Sequence, residues 1–167
     1  MTRIGACCAW TWAWSACLGI ALQGRPVYCA AVSLSGKVVM VTGGARGIGA
    51  GICRAAASAG AAIAICDIDE PAATQTAADL AATGARTLAV TTDVSSAASV
   101  ASAVGHIEKA LGPIDVLVNN AGIDRIERFV DSKEETWDLL WAINLKGMLL
   151  CCRTVLDAML ARGSGRI

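Results

Sequence analysis

Between an apolar run, Val38-Val39-Met40-Val41, and an alanine-rich stretch, the chain places Thr42-Gly43-Gly44-Ala45-Arg46-Gly47-Ile48-Gly49. That order reads as a strand, a glycine turn and a helix start. Gly43 can take backbone angles that a side chain would forbid. Gly47 leaves the backbone open to close approach, and Gly49 lets the helix pack against the strand. A helix start offers free N–H groups and a partial positive charge. Together these form a cradle for the phosphates of a dinucleotide. An ordinary tight turn would explain the glycines but not the strand before them and the helix after.

Apolar runs and helical stretches alternate from Lys37 onward. Lys37–Val41 is the first strand, and Ile48–Ala59 a helix closed by Gly60. Ala61–Cys66 is the second strand. Glu70–Thr83 is helical, with Pro71 in its first turn and Gly84 after its end. Arg86–Thr91 is the third strand. Ser95 or Ser96 caps a helix to Leu111, which Gly112-Pro113 stops. Ile114–Val118 is the fourth strand. A loop leads to a long helix from about Lys133 to Arg162, ended by Gly163-Ser164-Gly165. Arg166-Ile167 begins a fifth strand. Near-continuous apolar strands separated by helices imply a parallel sheet covered on both faces. The expected fold class is α/β, a Rossmann-type doubly wound sheet in three layers, incomplete at the C-terminus.

The spacing T-G-x-x-x-G-x-G resembles the short-chain dehydrogenase/reductase family. Three later segments strengthen the likeness: Cys66-Asp67, Thr92-Asp93-Val94 and Val118-Asn119-Asn120-Ala121-Gly122. Each ends an expected strand. The resemblance covers about Leu34 to Ile167. It implies an NAD(P)-binding domain whose cofactor contacts are Gly43, Arg46, Gly47, Ile48 and Gly49 in the turn, then Asp67, Asp93, Val94, Asn120, Ala121 and Gly122. It implies that Asp93 accepts from the adenine amine and that Val94 presents backbone to the ring. Ala121 and Gly122 permit approach to the nicotinamide ribose, with Asn120 the direct contact and Asn119 a tie between strands. It also makes Asn144, within Asn144-Leu145-Lys146-Gly147, a catalytic residue that helps hold a water in a proton relay.

Asp67 bears on which dinucleotide binds. A carboxylate at the end of the second strand can accept hydrogen bonds from the adenosine ribose and repel a 2′-phosphate, favouring NAD over NADP. A helix-capping Asp is the competing reading. Arg46 pulls toward a phosphate, but Asp67 decides. Asn144 falls among Trp137, Leu140, Trp141, Leu145, Met148, Cys152 and Leu156, which recur at helical spacing as a buried stripe. An amide there would need a partner.

By the same resemblance the reaction is hydride transfer between nicotinamide and an alcohol or ketone. A Ser and a Tyr-x-x-x-Lys after the fifth strand would carry it. The only tyrosine is Tyr28, and Val32 stands four residues on. The expectation is therefore a cofactor-binding half, inactive alone, with a non-catalytic nucleotide-binding or interaction module as the alternative. The family forms homo-oligomers. Here the stripe through Trp137, Trp141 and Met148 and the edge at Ile114–Val118 are expected to be uncovered, giving an aggregation-prone product.

Lys+Arg and Asp+Glu are equal at 14 each, so no basic excess points to nucleic acid. Eight cysteines show neither CxxC nor zinc spacing and read as free thiols in a reducing, cytoplasmic compartment. No metal site is expected. The lone His106 reads as a surface residue. Residues 1–33 differ from the rest. Ile4 to Gly24 carries no charge, which is long enough to span a bilayer by the rule of ~20 residues. An anomalous extension from a start codon placed too early is preferred to a membrane segment or a signal peptide.

Overall fold

A computed structural model describes residues 33–167. The expected extension, Tyr28 and Cys7, Cys8, Cys17 and Cys29 lie outside the described residues. The chain runs β1 (Val38–Thr42), α1 (Gly47–Ser58), β2 (Ala62–Asp67), α2 (Glu70–Ala81), β3 (Thr87–Thr91), α3 (Ala97–Leu111) and β4 (Val116–Val118). All four strands are parallel, in the order β3-β2-β1-β4. Met40 lies opposite Ala64 on one side and Leu117 on the other.

Side-chain alternation along β1 explains its unbroken apolar sequence. Val38 and Met40 enter one core, with Val100 and Ile107 of α3. Val39 and Val41 enter the other, with Cys53 of α1 and Ala73 and Leu80 of α2. Helices thus cover both faces, as the doubly wound class requires. The chain steps outward from β1 to β3, then returns to place β4 on the other side of β1. That reversal puts a crevice beyond the carboxyl ends of β1 and β4, where such sheets bind ligands.

Local signals set the helix starts. Ser96 caps α3 by accepting from Ser99 N–H at 3.4 Å. Asp69 caps α2 by accepting from Ala72 N–H at 3.0 Å, with Pro71 in the first turn. Gly163, at φ 64°, closes the last helix.

The long helix spans Glu134–Arg162 and is continuous but not uniform. It comprises α4 (Glu134–Leu140), a π-helical stretch Trp141–Gly147 and α5 (Met148–Arg162). By length and composition it could cross a membrane, yet Cys151, Val155 and Met159 are buried in the core beside α3. The expected buried stripe is corrected here. The inward face is Gly147, Cys151, Val155 and Met159, while Trp141 is 64% exposed and Trp137 40%. Two features account for this. The π stretch takes one more residue per hydrogen-bonded turn than an α-helix and so rephases the faces. Gly147 also abuts the loop after β3, where a Cβ would come within 2.9 Å of Val94 Cγ2.

The expected open edge at Ile114–Val118 is paired at one point. Arg166 N–H donates to Asp115 O at 3.0 Å, and Leu117 N–H to Arg166 O at 2.9 Å. This single parallel bridge, Val116 to Arg166, is the first step of the expected fifth strand. Ile114 and Leu117 are buried.

Candidate functional site

A cleft of about 410 Å³ opens beyond the carboxyl ends of the strands. It brings together every residue the sequence nominates as a cofactor contact: those of the glycine turn, Asp67, Asp93 and Val94, and Asn120 to Gly122. Ile68, Asp69, Thr92, Ile123 and Ile143 complete the lining. Ile68 had a sequence signal, a large apolar residue in the loop directly after a strand; it is 72% exposed at the cleft.

The glycine turn is built on steric necessity. Gly43 and Gly47 have φ of 62° and 52°. A Cβ on Gly47 would meet open space, so the backbone is bare toward the cleft. A Cβ on Gly49 would lie 2.0 Å from Gly43 O and 2.6 Å from Asn120 Nδ2. Only glycine lets α1 start that close to the end of β1. Unlike α2 and α3, α1 has no side-chain cap, and its first turn carries no acidic residue. Its leading N–H groups can therefore serve an anion.

Thr42 joins β1 to β4 at the floor. Its hydroxyl donates to Val118 O at 3.3 Å and accepts from Asn120 and Ala121 N–H at 3.1 Å each. The side-chain amide of Asn120 donates to Thr42 O at 3.0 Å and Gly43 O at 2.9 Å. The expected tie between strands falls to Asn120, which also lines the cleft, and not to Asn119. Asn120 ties the strands, and its amide hydrogens are spent on backbone. Asn119 turns to α5, donating to Cys152 Sγ at 3.2 Å, and its buried Oδ1 has no partner. The pleat explains this, because successive residues at a strand end point to opposite faces.

Asp67 is fixed by the backbone on both sides. Its Oδ2 accepts from Ala45 N–H at 3.0 Å and its Oδ1 from Asp69 N–H at 3.1 Å. Each oxygen keeps a lone pair for a further donor. The capping role weighed for Asp67 belongs to Asp69. The second oxygen of Asp69 pairs with the guanidinium of Arg46. Asp93 folds its loop by accepting from Ser95 N–H and Oγ–H at 2.9 and 2.7 Å.

Asn144 does not line the cleft and is exposed rather than buried. It clamps the backbone of Ile123, which does line it. Oδ1 accepts from Ile123 N–H at 2.8 Å, and Nδ2 donates to Ile123 O at 2.9 Å. Asn144 also borders a 50 Å³ cavity with Thr42, Asn119 and Gly147.

The thiols near the site are inert. Burial pushes Cys66 up to about 12 and Cys53 and Cys151 to about 11, so all three remain protonated packing groups. His106 is exposed.

Residues 37–167 match the family model described as short chain dehydrogenase. The chain is 41% identical over 134 residues to oxidoreductase UcpA of Escherichia coli K12, covering 80% of this chain and 51% of that protein. D-threitol dehydrogenase of Mycolicibacterium smegmatis is 41% identical over 134 residues, with coverage of 80% and 52%. Among solved structures, a protein described as a short-chain alcohol dehydrogenase from Sinorhizobium meliloti superposes with a TM-score of 0.76. It is 35% identical, and the match covers 80% of this chain and 53% of that one. The chain thus spans about half the length of the curated relatives it matches.

Proposed function

Because the chain belongs to the short-chain dehydrogenase family, we propose that it is the cofactor-binding part of an NAD-dependent oxidoreductase acting on an alcohol or ketone. One observation carries the choice of NAD: the Asp67 carboxylate, held by two backbone N–H groups at the mouth of the cleft. The residues present suit a dinucleotide. Donors at the uncapped start of α1 would hold the diphosphate, and Gly47 has no side chain to obstruct it. Asp67 would accept from the adenosine ribose and repel a 2′-phosphate. Asp93 and Val94 would hold the adenine. Ala121 and Gly122 would admit the nicotinamide ribose over a floor that Asn120 and Thr42 lock. When bound, the nicotinamide supplies a carbon that gives or takes hydride. Asn144 acts as a positioning residue, fixing Ile123 and, as the resemblance implies, contributing to a proton relay in the whole protein.

Residues 1–167 contain no tyrosine with a lysine four positions on. The proposal is therefore binding without turnover by this chain. The cytoplasm is the proposed compartment, supported by the buried free thiols. The exposed Trp141, Phe129 and Val130 favour self-association of the isolated chain.

Titration with NADH and NADPH tests the reading. NADH should bind more tightly, and Asp67→Ala should narrow the gap by roughly 1–3 kcal/mol. Equal or tighter NADPH binding by the unmodified chain would sink it. A panel of alcohols and ketones should give no change at the nicotinamide absorbance. Turnover that Asn144→Ala abolishes would refute the inactivity.

A further inference from the structure

We propose that Asp69 is a second determinant of cofactor choice, acting by neutralising Arg46. This rests on the dinucleotide reading of the cleft. Arg46 is the one basic residue lining the cleft, against three carboxylates: Asp67, Asp69 and Asp93. It stands at the N-cap of α1 with its side chain 73% exposed, well placed to receive an added phosphate. The structure gives it another partner, the Asp69 carboxylate.

That pair differs from an ordinary surface ion pair, which must order two long side chains for little gain. The acidic partner is already fixed at two points. Asp69 Oδ1 caps α2 through Ala72 N–H, and Asp69 N–H donates to Asp67 Oδ1. Only the arginine loses freedom when the pair forms. A 2′-hydroxyl on the ribose leaves the pair intact. A 2′-phosphate has to compete with Asp69 for Arg46 while facing Asp67. Asp67 thus disfavours the phosphate directly, and Asp69 does so by occupying the cation that would welcome it.

Asp69→Asn separates charge from structure, because Asn is as good an N-cap as Asp. In the full chain, this change should raise the NADPH-to-NADH affinity ratio about tenfold, the effect of one recovered charge-assisted contact. Arg46→Gln in the Asp69→Asn background should cancel the gain. Arg46→Gln alone should move the NADPH-to-NADH ratio by less than about twofold, whatever it does to both affinities together, because that guanidinium is already engaged. This last variant changes an exposed side chain and tests the idea even if Asp69→Asn fails to fold. An unchanged ratio in Asp69→Asn overturns the inference, as does a gain that survives loss of Arg46. So does a large fall in that ratio in Arg46→Gln alone. If NADH binds and only the ratio refuses to move, the cofactor reading stands and the role of Asp69 falls. If neither NADH nor NADPH binds the unmodified chain, both fall.

Discussion

The two ends of the β1–β4 pair are fastened by different chemistry. At the carboxyl end, neutral groups do it: the Thr42 hydroxyl and the Asn120 amide join Val118, Ala121 and Gly43 at 2.9–3.3 Å. At the amino end, charge does it. Asp115 accepts from Val38 N–H at 2.9 Å and from Lys37 Nζ at 3.1 Å, while Arg162 donates to Ile114 O at 2.7 Å. Burial alone would raise the Asp115 carboxyl, but Val38 N–H and Lys37 outweigh it and hold the group below its usual range. The contrast teaches where a charged tie is tolerable. Fixed charges in the cleft floor would compete with a ligand's phosphates. The far end lies away from that cleft and uses an ion pair, Lys37 with Asp115.

The largest effect is expected where geometry has no slack. Gly49→Ala would place a methyl 2.0 Å from Gly43 O, and backbone must move to admit it. We expect a loss of about 1–3 kcal/mol or more, together with loss of NADH binding. Gly51 is the control in the same helix, since a Cβ there meets nothing within 4 Å. Gly51→Ala should gain about 0.5–1 kcal/mol. Urea melts of the two variants check the difference. Similar outcomes would mean that the turn and α1 are not packed as described.

The next effect concerns the neutral tie. Thr42→Val removes a buried hydroxyl and strands the N–H groups of Asn120 and Ala121 and the carbonyl of Val118. A cost of about 1–3 kcal/mol is expected. Thr42→Ser should recover most of it by restoring the oxygen. The penalty should not vary between pH 4 and pH 8. Thermal melts across that range would expose any hidden charge in the knot.

The glycine turn, the strands and a serine cap on α3, at Ser95 or Ser96, are readable from sequence because each rests on local chemistry. The same holds for the convergence of Asp67, Asp93 and Ala121 on one cleft, since each residue follows the end of an apolar run. What escaped depends on neighbours distant in sequence. Whether Asn119 or Asn120 faces Thr42 depends on the pleat phase of β4, which a three-residue strand leaves undetermined. The π stretch at Trp141–Gly147 depends on the fit of Gly147 against Val94, 53 positions earlier in the chain. Once it forms, the faces of α5 shift. A simple helical period then assigns Met148 and Cys152 to the core, where Gly147 and Cys151 take the inward places. Sequence alone does not separate Asp69 from Asp67 as the cap, because both precede α2; the hydrogen bond from Ala72 N–H to Asp69 distinguishes their roles.

The smallest effect, and the one that tests the comparison most directly, is at the charged end. Asp115 has a folded pKa below its unfolded value. Its contribution is therefore fully present above the unfolded carboxylate pKa of ~3.9 and is lost as pH falls through the folded value. Lys37 is half exposed, which keeps the pair's worth within about 1 kcal/mol. Asp115→Asn retains an oxygen that can accept from Val38 N–H, so only the charge is removed. The stability difference between the unmodified chain and this variant should be constant from pH 7 to about pH 5, then shrink toward zero in stronger acid. Added salt should shrink it at neutral pH as well, while leaving the Thr42→Val penalty untouched. A difference that stays flat into strong acid would mean that Asp115 acts through shape alone. The two ends would then be fastened by the same neutral chemistry, and acid sensitivity would have to arise elsewhere in the fold.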